Sequence, residues 1–326
     1  VSNLPVDFFP SDADGARRQF REICEAAGLE IWTLGRSGSP SVDQEDAQAA
    51  IEAGDVADDD GYIIEAARIG SPDAPSVLVL TSGAGESEGL CASAIQCSAL
   101  AGPIRRELPR DVGMLFVHAI APQWDDNEVH ANFPAPERAW EDALLVAAES
   151  RYAQYVKDKS SSKFSSDKFG GNTADAADAK TGNPQKPSPK EGLRALVEEY
   201  LGRAQKIGLI DIRTGDGEYG RCDVIASAGK TAPAGQRAGR WFGARTDLDG
   251  ISSSAIPGPL AQTLITLMPP VELAAVVMEF GTYSMGGMLG SAPGRMFYPD
   301  DPAWRAQVWR NAYTVIHNAM GILTEA

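Results

Sequence analysis

The chain has 326 residues, of which 43% are hydrophobic and 23% charged, the composition of a folded globular protein and not of a disordered one. Its formal net charge of −16, from 45 acidic against 29 basic side chains, repels phosphate backbones and anionic lipid, so nucleic acid and membrane surfaces are poor partners. There is no apolar run of about 18 residues to span a bilayer, and Val1 to Pro10 lacks the basic and apolar regions of a signal peptide.

Ser11 or Asp12 is placed to cap a first helix reaching about Ala27, with Phe20, Ile23, Cys24 and Ala27 on one face. After a weakly periodic, acidic stretch from Gly35 to Gly61, the segment Tyr62 to Ile69 reads as a strand closed by a Ser-Pro-Asp-Ala-Pro turn. Val77 to Leu80 is continuously apolar, the mark of a strand covered on both faces. A turn carrying Gly83, Gly85 and Gly89 then leads into a small-residue helix, Cys91 to Leu100. Met114 to Ile120 is a second buried strand, and a helix is expected from about Pro136 to Val156. The stretch 157–190 is rich in Ser, Lys, Asp, Gly and Pro and reads as a low-complexity surface insertion. Beyond it, Leu193 to Lys206 reads as helix, Ile207 to Arg213 and Val271 to Phe280 as strands. A final amphipathic helix runs from Pro302 to Leu323, with Trp304, Val308, Ala312, Val315, Ala319 and Leu323 at helical spacing. Strands alternating with helices predict one α/β domain over 1–326, with a mixed, largely parallel sheet covered by helices on both faces. The cysteines Cys24, Cys91, Cys97 and Cys222 form no CxxC pair, which favours a reducing compartment such as the cytoplasm. Cys91 and Cys97 read as packing residues and His118 as a hydrogen-bonded core histidine.

Several segments fall in an order that resembles the carboxypeptidase-A-like zinc hydrolases, in particular a bacterial branch known only as a domain of unknown function. They are Phe9-Pro10-Ser11-Asp12, Ser82 to Gly89, Val117-His118-Ala119, Asp125 to Phe133, Ile210 to Gly215, Glu279-Phe280-Gly281-Thr282 and Phe297 to Asp301 with the Trp304 helix. The resemblance covers nearly the whole chain apart from the insertion. It implies a zinc-carboxypeptidase-like fold and a site in which two His and one Glu hold zinc. The metal would activate water, a Glu would take the proton, and Asn and Arg would hold the substrate.

The same resemblance exposes departures. The first ligand position holds Gly85, which has no side chain, and the third holds Arg213, which stays charged and cannot ligate a cation. Glu88 matches the second ligand and Glu279 the general base, while the substrate-pocket positions hold His130, Ala131 and Asn132. The resemblance thus implies that zinc is lost and no cofactor is retained. An Arg213 guanidinium facing Glu88, with Glu86 or Glu279 as further partners, is expected to stand in for the ion.

Two catalytic alternatives stay open. Gly85-Glu86-Ser87-Glu88-Gly89 is a GxSxG sequence between a strand and a helix, where Ser87 would be a nucleophile and His130 its base. A carboxylate-rich metal site built from Glu86, Glu88, His130 and Asp125 or Asp126 would suit Mg²⁺, Ca²⁺ or Mn²⁺ and serve amide hydrolysis. The favoured reading is a catalytically inactive, acidic, peptidase-like scaffold that serves as a binding or structural subunit for a protein partner.

Overall fold

The computed structural model describes residues 5–35, 63–82, 86–119, 150–154, 157, 189–246, 256–283 and 297–325. A 3-10 turn, Pro5–Phe8, precedes helix α1 (Ala13–Ala26). Asp12 caps α1 from extended backbone, its carboxylate accepting the Gly15 amide at 2.7 Å. Ala13, Ala16, Phe20 and Cys24 form its buried face. Strand β1 (Ile31–Gly35) follows, unanticipated in the sequence.

Strands β2 (Ile63–Ile69) and β3 (Ser76–Ser82) lie where the apolar runs place them. Helix α2 (Glu86–Ala101) begins five residues before the expected Cys91 start. From Leu90 to Leu100 it is buried all round, because Ala92, Ser93, Ala94 and Cys97 are small enough to seat it against the sheet. A short helix, α3 (Pro103–Glu107), leads into strand β4 (Val112–Ala119). Of the helix expected over 136–156, residues 150–154 are described and are helical. Most of the expected insertion lies outside the described residues, and helix α4 (Pro189–Leu201) begins within its last two positions.

The helix expected to reach Lys206 stops at Leu201, before Gly202. The amides of Gln205 and Lys206 instead bond to the Pro75 carbonyl at 2.7 and 3.0 Å, which draws the chain into the sheet as strand β5 (Lys206–Glu218). Strand β6 (Cys222–Ala226), helix α5 (Pro233–Phe242), helix α6 (Pro259–Leu267), strand β7 (Glu272–Tyr283) and helix α7 (Pro302–Glu325) complete the described elements.

The sheet has seven strands in the order β1-β2-β4-β3-β5-β7-β6. The inner pairs β4/β3, β3/β5 and β5/β7 are parallel, and β1, β2 and β6 add antiparallel margins. Period-2 alternation divides the core. Leu78, Leu80, Met114, Phe116, Ile210, Ile212, Val276 and Met278 face α1, α2, α5 and α7. Val77, Val79, Leu115, Val117, Ile207, Leu209, Leu273 and Ala275 face α4 and α6. This is the single-domain α/β architecture, with helices on both faces, that the strand–helix alternation predicts.

The two ends of the described chain meet. The Phe9 ring stacks on Tyr298 and meets Trp304 edge-on, both at 6.2 Å between centroids. The Tyr298 hydroxyl donates to the Pro10 carbonyl at 2.8 Å, and the Arg305 guanidinium lies 5.4 Å over the Phe9 ring. Trp304 is 1% exposed, so its indole N–H needs a partner and finds the Gly281 carbonyl at 2.9 Å.

Candidate functional site

The carboxyl ends of β3, β5 and β7 bring polar side chains onto one face of the sheet. Register puts Thr81 beside Asp211, and Arg213 beside Glu279. All are odd-numbered, so they share the face that carries α4 and α6. Asp211 is 3% exposed and accepts the Thr81 hydroxyl at 2.6 Å and the Gly258 amide at 2.7 Å. Burial pushes its carboxyl above the usual range, opposed by those two hydrogen bonds and by the charge of Arg213.

The Asp211–Gly258 bond fixes the segment entering α6, which brings the Ile256 carbonyl to 3.1 Å from the Arg213 Nη1 donor. Arg213 Nε lies 3.4 Å from Glu279 Oε2, the two side chains being 17% and 15% exposed. Glu279 in turn lies over Gly215, where an added Cβ would stand 2.5 Å from the Glu279 carboxyl carbon. Glycine at 215 is therefore what leaves room for this carboxylate. The pair holds a fixed positive charge beside Glu279. A guanidinium has only donors and no lone pair for a metal, so Arg213 does not fit the role of a zinc ligand.

Of the residues singled out in the sequence, Arg213 and Glu279 are brought together. The carboxylate described beside Arg213 is Glu279, whereas the sequence put Glu88 first. Glu88 is half-buried in the first turn of α2, and Ser87 precedes it there, four residues past the expected turn glycine at 83. Gly85, His130, Ala131, Asn132 and the acidic stretch around Asp125 and Asp126 lie outside the described residues. Among the described residues no group of three His, Cys, Asp or Glu side chains is gathered for a metal ion. Nor is any helix there long and apolar enough to cross a membrane.

A second polar cluster lies on the opposite face, and sequence reasoning missed most of it. Glu65 and His118 are both fully buried. Arg21, from α1, donates to Glu65 Oε1. His118 Nε2 is 2.9 Å from the Ser93 hydroxyl, its ring stacks on Phe20 at 4.4 Å, and its Nδ1 is 4.0 Å from Glu65 Oε2. Burial pushes the His118 pKa down to about 3, and Arg17 and Arg21 push the same way. His118 is thus the hydrogen-bonded core histidine the sequence suggests, and it is engaged by Ser93. His317 is 3.7 Å from Glu107 on the outer side of α7. The signal for this cluster was a glutamate inside the β2 segment, whose residues other than Glu65 and Arg68 are apolar.

No curated protein matches the chain. It is similar to the crystal structure of Tannerella forsythia glutaminyl cyclase at 12% identity and TM-score 0.39, covering 96% of this chain and 94% of that one. It is also similar to a Zn-dependent exopeptidase from Parabacteroides distasonis, at 11% identity and TM-score 0.42, with 96% and 94% covered. A third likeness is to Bacteroides thetaiotaomicron glutaminyl cyclase bound to N-acetylhistamine, at 11% identity and TM-score 0.40, with 96% and 94% covered. Such likenesses say nothing of chemistry. The family model described as "Protein of unknown function (DUF2817)" matches residues 15–123 and 127–294. The chain belongs to that family.

Proposed function

We propose that this protein is a degenerate relative of the carboxypeptidase-A-like zinc hydrolases, without peptidase catalysis, and that it acts as a binding or structural subunit for a protein partner. The observation that carries the reading is the Arg213–Glu279 pair, 3.4 Å apart at the carboxyl edge of the sheet. By the sequence resemblance, Arg213 stands where a zinc ligand belongs and Glu279 where the general base belongs. A permanent cation next to that glutamate opposes a second, divalent cation in the same space, by roughly 4 kcal/mol per unit charge at 4 Å in a surface-like dielectric. Gly85, at the first ligand position, supplies no side chain at all. Glu279 is then a salt-bridge partner and no longer a base waiting for a metal-bound water.

The test is elemental analysis of the full chain purified without chelator, beside hydrolysis of C-terminal amino acids from peptides. The expected result is metal far below one ion per chain, no hydrolysis, and a protein partner that stays in fixed ratio through gel filtration. One zinc per chain overturns the reading. One observation favours a second reading: β3 ends at Ser82 and α2 starts at Glu86, so Ser87 falls in the strand-to-helix setting of a nucleophile elbow. Against it, His118 is engaged in the core and His317 lies beside Glu107. Labelling by a fluorophosphonate probe that disappears in Ser87→Ala would promote this serine hydrolase over the subunit.

A further inference from the structure

At the opposite end of the sheet from Arg213 lies a cavity of about 620 Å³. It opens where β2 ends and where the turns lead into β3 and β4. With β3 seven residues long, the two ends are about 20 Å apart at roughly 3.3 Å per residue. The wall includes Arg68, Gly70, Ser71, Arg105, Pro109 and Arg110, and no carboxylate contributes to it among the described residues. A cavity lined by three guanidinium groups runs against the character of a chain whose net charge is −16.

The arginines are oriented by backbone carbonyls, and the one carboxylate charge acting on Arg68, that of Asp73, comes from outside the cavity wall. Arg68 donates to the carbonyls of Tyr200 and Ser71, and Arg105 to the carbonyl of Ala27. These acceptors are backbone dipoles, which fix a guanidinium while leaving its charge intact. Each guanidinium carries five N–H donors, of which these carbonyls take two on Arg68 and one on Arg105. Arg110 is exposed at the rim.

The backbone of the wall is shaped for this. Arg68 lies over Gly113, where a Cβ would come within 2.9 Å of Nη2. Gly70 has φ +89°, and a Cβ there would meet the Val112 carbonyl at 2.7 Å. Arg105 also borders a neighbouring cavity of about 690 Å³, whose wall includes Ile23, Ala26 and Leu100. A charged head and an apolar remainder can therefore be accommodated side by side.

We infer that this cleft is a binding site for a phosphate group carried by an organic phosphate or diphosphate, separate from the peptidase-like edge of the sheet. Three guanidiniums match the several charged oxygens of a phosphate better than the single charge of a carboxylate, and arginine meets phosphate in bidentate geometry. The volume lies within the range of about 300–1,000 Å³ typical of small-ligand sites. The inference does not depend on whether the Arg213 edge is catalytic.

The test is calorimetric titration of the full chain with inorganic pyrophosphate, beside flotation with vesicles of phosphatidylcholine alone or doped with phosphatidate. Arg110→Glu reverses one charge at an exposed position, and Arg310→Glu makes the same change at an exposed position on α7. Saturable pyrophosphate binding is expected, weakened about tenfold or more by Arg110→Glu and little changed by Arg310→Glu. Flotation with phosphatidate vesicles only, lost in Arg110→Glu, keeps the cleft and identifies a lipid headgroup as the source of the phosphate. Binding to neither probe overturns the inference. So does equal weakening in both variants, which would reduce the effect to overall charge.

Discussion

Two arginine–glutamate pairs, one on each face of the sheet, differ in what surrounds them. Arg21–Glu65 ties helix α1 to strand β2, and its glutamate is wholly buried while its arginine is 24% exposed. Arg213–Glu279 ties neighbouring strands at the carboxyl edge, with both partners slightly exposed. The first carboxylate has no recourse to water. Burial raises its pKa, against the opposing pull of Arg21 and Arg17. The second sits where β3 has ended and β5 and β7 run on as a pair, and part of its charge is solvated. The same chemical pair therefore holds a helix in the core at one place and joins two neighbouring strands at a partly solvated position at another.

The comparison breaks most decisively at Arg21. Arg21→Ala leaves Glu65 buried without its cation and is expected to cost about 3–5 kcal/mol in denaturant unfolding. Adding Glu65→Gln should recover at least half of that; no recovery would mean that Arg21 acts through packing and not through the charge.

Next comes pH. Because the His118 pKa is pushed down to about 3 in the fold from an ordinary 6.5, the unfolded chain takes up a proton there that the native state refuses. The stability linked to His118 is complete above pH 6.5 and is lost as pH falls towards 3, on the order of 2 kcal/mol of it between pH 6.5 and 5. Glu65 works in the opposite sense, since its raised pKa makes the native state the better proton acceptor. The measurement is thus the difference in slope between the wild-type chain and His118→Gln. Equal slopes would show that His118 titrates normally.

Arg213→Ala tests the edge pair, with an expected loss of about 1–2 kcal/mol, smaller than at Arg21 because water can approach Glu279. A loss as large as that of Arg21→Ala would erase the distinction between the two pairs. The exposed limit is Arg203–Asp73, with side chains 73% and 69% exposed. Arg203→Ala should change unfolding by less than about 0.5 kcal/mol.

The central strands were readable because they are covered on both faces and therefore written as unbroken apolar runs, as in Val77 to Leu80. Helix α1 announced itself through Asp12 and its apolar face. The stretch from Cys222 to Leu267 did not, since α5 is built from Ala, Gly and Arg, and its burial comes from Ala234, Ala238, Trp241 and Phe242 in a short frame. Strand β1 has five residues, too few for alternation to stand out. At the site, sequence order could identify Arg213 as a departure but could not choose its partner. Glu88 was placed first, with Glu86 or Glu279 as further partners, and the parallel register of β5 and β7 is what sets Glu279 beside Arg213. Asp211 lay inside a quoted segment, yet its role depends on the Gly258 amide, 47 residues away.

The clasp between Phe9, Pro10 and the Tyr298–Arg305 region has a consequence for biosynthesis. The ribosome adds Phe9 nearly 290 residues before its docking partners emerge. At about 5–20 residues per second this leaves the amino-terminal segment undocked for tens of seconds. A nascent chain arrested before Tyr298 would present that segment to proteases and chaperones, and synthesis of α7 would end the exposure.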